Sequence, residues 1–170
     1  AAFGRLGVDS LSHAACEADD VIATLAAKAA ARGAQVTILS TDKVFLQLLG
    51  PGVVVRDHFE RQDLDREYVA SRFGVLPEDL VDFWALTGHG TNGITGVPGV
   101  GPKSASRLIG AHGTLEGVLQ AAGNMEGRLG DTLRQHAEDA RLARRLMRLQ
   151  DDLVLGVNLR DLRYAPGAGD

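Results

Sequence analysis

Gly96-Val97-Pro98-Gly99-Val100-Gly101-Pro102-Lys103-Ser104-Ala105-Ser106-Arg107-Leu108 is the stretch on which the reading of this chain turns. Apolar residues and glycines alternate through its first half. A helix then starts at Pro102, with the small residue Ala105 four positions after Gly101. Gly99 and Gly101 allow a tight hairpin and a close approach of backbone to ligand. Pro102 suits a first helical turn, where its missing N–H would have no partner anyway. The helix offers free N–H groups and a positive dipole end to an anion, and Lys103 adds a charge beside them. This is the pattern of a helix-hairpin-helix, which grips a sugar-phosphate backbone without reading bases. A plain glycine-rich turn between two helices is the alternative, and it would not require so many small and apolar positions to agree at once.

Working outward, residues 18–32 read as a helix, with Val21, Ile22, Leu25, Ala26 and Ala29 at helical spacing and Gly33 as a stop. Val36 to Ser40 is short, apolar and β-branched and reads as a buried strand. Residues 43–49 look like a short helix, and Val53 to Arg56 a second strand. A helix, a short loop and a buried strand point to an α/β layer with a parallel sheet. Past residue 60 the pattern is helical. Asp65 caps a helix ending at Gly74, Pro77 opens one through Leu86, and Thr114 starts another after the hairpin. Residues 129–149 read as one long amphipathic helix with Leu133, Ala137, Ala140, Arg144 and Met147 in a stripe. Asp161 to Tyr164 is a last strand candidate. The expected organisation is an α/β part over 1–60, a helical part over 61–165 and a loose tail at 166–170. The chain opens on Ala1 and not Met, in what looks like the middle of a helix, and so reads as part of a longer protein.

Composition narrows the class. Of 170 residues, 45% are hydrophobic and 24% charged, which suits a packed soluble protein. No apolar run approaches the ~18 residues that span a bilayer, and there is no signal-peptide pattern. The single cysteine, Cys16, excludes an internal disulfide and fits a reducing cytoplasm. The net charge of −4 is unevenly spread: residues 1–99 carry 8 basic and 13 acidic side chains, residues 100–150 carry 8 and 5. An acidic half beside a basic half suits metal chemistry next to phosphate binding, and ordinary surface scatter gives the same counts. Arg141, Arg144, Arg145 and Arg148 could follow a phosphate strand or simply face solvent.

The acidic half holds Glu17-Ala18-Asp19-Asp20 at a helix start and Ser40-Thr41-Asp42-Lys43 at a strand end. In an open α/β sheet these two places border one crevice. Carboxylates meeting there repel unless a divalent cation neutralises them, and all-oxygen donors favour Mg²⁺ or Mn²⁺. Such ions activate water and offset the charge of phosphodiester cleavage, often as a pair ~3.5–4 Å apart. The plainer account is that acidic residues favour a first helical turn and that Asp42 merely caps the next helix. His13, His58, His112 and His136 are scattered without ligand spacing, and Phe83 and Trp84 belong to a core helix.

These features in this order resemble the 5′-nuclease family, which comprises flap endonucleases and the nuclease domain of bacterial DNA polymerase I. The matching stretches are EADDVIATLA (17–26), STDKVFLQLL (40–49), FGVLPEDLVDFWALTG (73–88) and GVPGVGPKSASRLI (96–109). The chain is most similar to the short exonuclease-IX-like branch. The resemblance implies a divalent metal held by Glu17, Asp19, Asp20 and Asp42, with Asp19 foremost and Lys43 as a cation for the transition state. It implies a potassium ion held by the backbone carbonyls of Leu86, Thr87, Thr95, Val97 and Val100 and bridging to a DNA phosphate. Gly99, Val100, Gly101, Pro102, Lys103 and Ser104 would contact the DNA. The pattern also departs from two-metal members, because Val44, His89 and Asn92 occupy positions where these have Asp. In the family a segment ahead of the matching region holds a first strand with its Asp, a further metal carboxylate and an arch that threads a single strand.

The expected function is cleavage at 5′ flaps or single-strand/duplex junctions by a monomeric cytoplasmic enzyme. The alternative is a non-catalytic DNA-binding module with an incomplete metal site. A ribonuclease of the same chemical class is disfavoured because the hairpin suits a duplex backbone better than unstacked RNA bases. A plain interaction domain would show no salt-dependent DNA binding.

Overall fold

The computed structural model describes residues 8, 10–13 and 16–164; the expected helix around Ala1 and the tail at 166–170 lie outside them. Helix α1 (Ala18–Ala30) leads into strand β1 (Val36–Leu39), a 3₁₀ turn (Lys43–Leu48) and strand β2 (Val53–Asp57). β1 and β2 pair in parallel, Val36 opposite Val53 and Leu39 opposite Arg56. A third strand, β3 (Gln62–Leu64), returns antiparallel, with Val55 opposite Leu64, so the sheet order is β1-β2-β3.

Two expectations change here. The sheet is mixed, because β3 had no apolar run to announce it. β1 is not buried along its length: Ile38 is covered, but Leu39 is 67% exposed. Among the described residues β1 pairs only with β2, and α1 packs against it; Thr37 and Leu39, which strand alternation puts on the face opposite Ile38, are exposed.

The helical part follows its local signals closely. In α2 (Arg66–Phe73) the Asp65 carboxylate accepts from the Tyr68 N–H at 2.8 Å, and Gly74 ends the helix at φ 71°. A 3₁₀ turn at Pro77–Asp79 runs into α3 (Leu80–Thr87), and a two-residue ladder, β4 (Gly88–His89) with β5 (Ile94–Thr95), bridges to the hairpin. Helices α4 (Pro102–His112) and α5 (Leu115–Ala122) follow, with Thr114 accepting from the Gly117 N–H at 3.1 Å. The long helix expected over 129–149 is two helices, α6 (Arg128–Gln135) and α7 (Ala137–Met147). His136, at φ −106° and ψ 22°, breaks it, and its ring contacts Asp139 at 2.8 Å. The break is one residue long, so Leu133, Ala140 and Met147 are all still buried and the stripe in the sequence hides it. Residues 161–164 form no strand; they lie in a turn and an irregular end.

One continuous core runs from Ala26 and Ile38 through Phe83 and Trp84 to Leu133 and Met147. Two polar joints lock its layers. Asp82 on α3 is buried, accepts from the Leu115 N–H at 2.8 Å and faces Arg144 Nε on α7 at 2.6 Å. It thereby satisfies a free donor at the start of α5 and ties α3, α5 and α7 together. The second joint is the chain after α7. Gln47 donates to the Met147 carbonyl at 3.0 Å and accepts from the Leu149 N–H at 3.1 Å, and the Gln150 N–H reaches Asp20 at 2.8 Å. Thr24 and Lys28 bond the backbone at Gln150 and Leu153, so residues 147–153 are strapped along α1.

Removing the Asp82 carboxylate leaves a buried amide and Arg144 without their partner. Asp82→Ala should lower stability by about 3 kcal/mol in urea unfolding, and Asp82→Asn, which keeps an acceptor for Leu115, should cost less. An Asp82→Ala loss under about 1 kcal/mol would mean that the joint carries little.

Candidate nucleic-acid and metal site

The hairpin is built by a backbone-to-backbone contact. Gly96 lies against the C-terminal end of α3, where a Cβ would overlap the Leu86 carbonyl oxygen, the Thr87 carbonyl carbon and the Gly88 nitrogen. Gly88 answers it at φ 78°, and a Cβ there would meet Gly96 N and Ile94 O at 2.7 Å. The Val97 N–H then donates to the Leu86 carbonyl at 2.8 Å and the Val100 N–H to the Val97 carbonyl at 3.0 Å. Val97 and Val100 are buried and anchor the turn, while Gly99, Gly101, Pro102 and Lys103 are exposed and Ser104 is half-buried. Gly99 takes φ 77°, the left-handed region open to glycine. Gly101 precedes α4 without a side-chain cap, so the first N–H groups of that helix are left for an external acceptor. Of the five carbonyls expected to hold potassium, those of Leu86 and Thr87 lie where Gly96 meets α3, Thr95 immediately precedes Gly96, and Val97 and Val100 follow in the hairpin. Those of Leu86 and Val97 already accept one N–H each, which leaves each a second lone pair.

The carboxylates are close enough to feel one another. Burial pushes the Asp19 carboxyl above the usual range, and the negative charges of Asp42, Glu17 and Asp20 push it further. Oxygen-only donors with mutual repulsion fit a hard divalent cation in type. Two of them already have structural work. One Asp42 oxygen accepts from the Val44 N–H at 2.9 Å, so the capping account of Asp42 holds whatever else it does. Asp20 turns to the Gln150 N–H. Among the described residues no three His, Cys, Asp or Glu side chains stand near enough to share one ion.

Lys43 donates to Asp57 at 3.1 Å and to the Thr41 carbonyl at 3.2 Å. Asp57 had not been singled out. The N–H of Glu60, then Lys43, then the N–H of Phe59 hold its carboxyl below the usual range. An Asp immediately ahead of an exposed turn is the available signal, since such side chains bond backbone a few residues on. The three departures also find places. Val44 is core, and His89 is buried with Nδ1 3.0 Å from Asn92 Oδ1 and its ring 5.0 Å from Trp84. Two of the helix α7 arginines are not free to follow a phosphate strand: Arg141 pairs with Glu116 and Glu138, and Arg144 with Asp82.

Two family models cover the chain. The 5′-3′ exonuclease N-terminal resolvase-like domain matches residues 1–74, and the 5′-3′ exonuclease C-terminal SAM fold matches residues 75–169. The chain is 49% identical to Flap endonuclease Xni of Aeromonas hydrophila over 166 residues, covering 97% of this chain and 62% of that protein. It is 48% identical to Flap endonuclease Xni of Tolumonas auensis over 164 residues, covering 96% and 63%. It therefore spans less than two thirds of these relatives. A solved bacteriophage T5 protein co-crystallised with metal ions shares the fold at TM-score 0.73 and 21% identity, over 82% of this chain and 52% of that one. A T5 flap endonuclease in a pseudo-enzyme–product complex with DNA and metal ions gives 0.71 and 22%, over 79% and 50%. Among the described residues no helix is long and apolar enough to cross a membrane.

Two substitutions separate folding from site. Gly96→Ala should cost roughly 2–4 kcal/mol or prevent folding, because backbone cannot yield as a side chain can. Gly101→Ala, at φ −87° with nothing within 4 Å, should leave stability within about 0.5 kcal/mol. At the acidic site, the raised Asp19 carboxyl means that the folded protein holds a proton more tightly than the unfolded chain does. This group's contribution to stability therefore declines as pH rises through the interval between its ordinary and its raised value. In EDTA at neutral pH, Asp19→Asn should raise the Tm and flatten that decline; an unchanged Tm would show that neither burial nor the neighbouring carboxylates penalise the Asp19 charge.

Proposed function

This chain belongs to the 5′-3′ exonuclease family, and from that membership we propose that it carries the DNA-gripping part, and some of the metal centre, of a cytoplasmic nuclease that hydrolyses phosphodiester bonds at 5′ flaps or strand junctions. The carrying observation is the hairpin: Gly96 seated on the end of α3, Val97 and Val100 buried, and Gly99, Gly101, Pro102 and Lys103 exposed at the uncapped start of α4. The relatives named as flap endonucleases support the reading, as does the T5 structure with DNA. Asp19, with Glu17, Asp20 and Asp42, would hold a divalent ion, Mg²⁺ or Mn²⁺. Such an ion, when bound, acidifies water and offsets charge at phosphorus.

The chain's own residues supply the rest. The hairpin fixes the duplex by its backbone, without base contacts, through residues 99–104. The carbonyls of Leu86, Thr87, Thr95, Val97 and Val100 would place potassium between hairpin and phosphate. Lys43, tethered to Asp57, keeps a positive charge beside Asp42, where it can offset charge building on a phosphate. The part up to about residue 60 would serve the chemistry and the part beyond it the grip; the two family models meet at 74/75. The second reading, a monomeric DNA-binding module that does not cut, is favoured by one observation. Asp20 and Asp42 are engaged in backbone bonds, and no three acidic groups converge among the described residues.

A fluorescent 5′-flap duplex decides between them. Binding followed in KCl and in NaCl with Ca²⁺ present should be tighter in KCl, should fall with total salt, and should weaken about tenfold in Gly101→Ala through loss of a charge-assisted backbone contact. Product on adding Mg²⁺, absent in Asp19→Ala, establishes the nuclease. Potassium-sensitive binding with no product leaves the non-cutting module, and no binding in either salt sinks both.

A further inference from the structure

We propose that the cleft between α2, α3 and the start of α4 is a subsite for one unpaired nucleotide with its phosphate. The cleft has a volume of about 480 Å³, within the ~300–1,000 Å³ typical of small-molecule sites. Tyr68 and Phe73 form half-buried walls. Phe83 and Trp84 stand behind Phe73 in edge-to-face contact, with ring centres 5.8 and 6.1 Å away. Bases of every kind have a π-face, so such a wall accepts an unpaired base without choosing its sequence. Lys43 and Arg72 stand at the rim and no carboxylate lines the cleft. Arg72 is exposed and has no ion-pair partner among the described residues, which leaves its guanidinium available to a phosphate.

The position matters as much as the lining. Lys43, next to Asp42, and Pro102, the first residue of α4, both line it. A nucleotide held here therefore touches both the residue beside Asp42 and the first residue of the helix that would face a backbone phosphate. Aromatic walls with a cationic rim suit a nucleotide better than a free phosphate, which needs no π surface, or an apolar peptide, which needs no cations. The choice of ligand rests on the nuclease reading above; the cleft itself can be tested apart from it.

Trp84 is the only tryptophan in the chain, so it reports on the cleft directly. The intact chain is titrated with a deoxynucleoside 5′-monophosphate, with the nucleoside and with inorganic phosphate. Trp84 fluorescence is one readout and equilibrium dialysis of labelled nucleotide the second. The expected result is saturable binding of the monophosphate, weaker for the nucleoside and weakest for phosphate, and the same in KCl and NaCl. It should fall about tenfold in Tyr68→Ala, the order of one base–aromatic contact, and likewise in the exposed variant Arg72→Ala. No saturable binding by either readout, or binding that survives both substitutions, overturns the subsite. If that happens while the flap duplex is still bound and is cut on adding Mg²⁺, the nuclease reading stands without it. Loss of flap binding with nucleotide binding intact has the opposite meaning.

Discussion

Two stretches of backbone touch at Gly96 with no side chain between them, and the shape of the hairpin that follows depends on that contact. The end of α3 and the residues before the hairpin approach until a methyl group would overlap Leu86, Thr87 and Gly88. The approach turns the Val97 N–H into a partner for the Leu86 carbonyl. It also holds Val97 and Val100 in the core and drives the tip between them outward. Glycine is required there by packing and not by φ, which is a different use from that at Gly99, where the left-handed turn requires it. The small β4–β5 ladder extends the contact and gives His89 a fixed, buried place against Trp84.

The acidic site is organised differently. No covalent geometry forces Glu17, Asp19, Asp20 and Asp42 together; α1 and the end of β1 bring them near because each belongs to the same layer. Their charges raise the Asp19 carboxyl, and without a cation the arrangement is held against its own repulsion. Asp42 and Asp20 relieve some of it by bonding backbone N–H groups. Those bonds make the two residues structural as well as candidate ligands. Lys43 is balanced by Asp57, whose other oxygen fixes the turn after β2. The Lys43 charge is thus tied to a turn fifteen or so residues further on.

Local signals were readable wherever one residue answers a neighbour. Asp65 and Gly74 bound α2, Thr114 caps α5, and the hairpin glycines and Pro102 mark their turn. The long-range answers were not. Asp82 looks in sequence like one more polar residue of a helix, and its partners Leu115 and Arg144 lie 33 and 62 positions away. β3 has a single buried residue, Leu64, and no pattern. The break at His136 keeps the stripe of α6 and α7 in phase, so periodicity cannot show it. Leu39 reads as buried because it is apolar, yet among the described residues the face of β1 that it shares with Thr37 is left exposed. The four acidic residues were legible as a group, whereas the backbone partners of Asp20 and Asp42 depended on the path of the chain. The cleft beside Trp84 depended on it too, since Lys43, Arg72 and Pro102 come from three separate elements.

The strap of residues 147–153 along α1 has a consequence for the order in which this chain can acquire its shape. Gln47 waits for Met147 and Leu149, and Asp20 waits for Gln150, separations of 100, 102 and 130 residues. Contacts this distant in sequence are slow to close, because the intervening chain must first be confined. At synthesis rates of roughly 5–20 residues per second, α1 spends on the order of ten seconds without the backbone that satisfies Asp20, Thr24 and Lys28. The helical hairpin, whose contacts are mostly local, can consolidate before the acidic site does, so during biogenesis the hairpin takes its shape ahead of the four carboxylates.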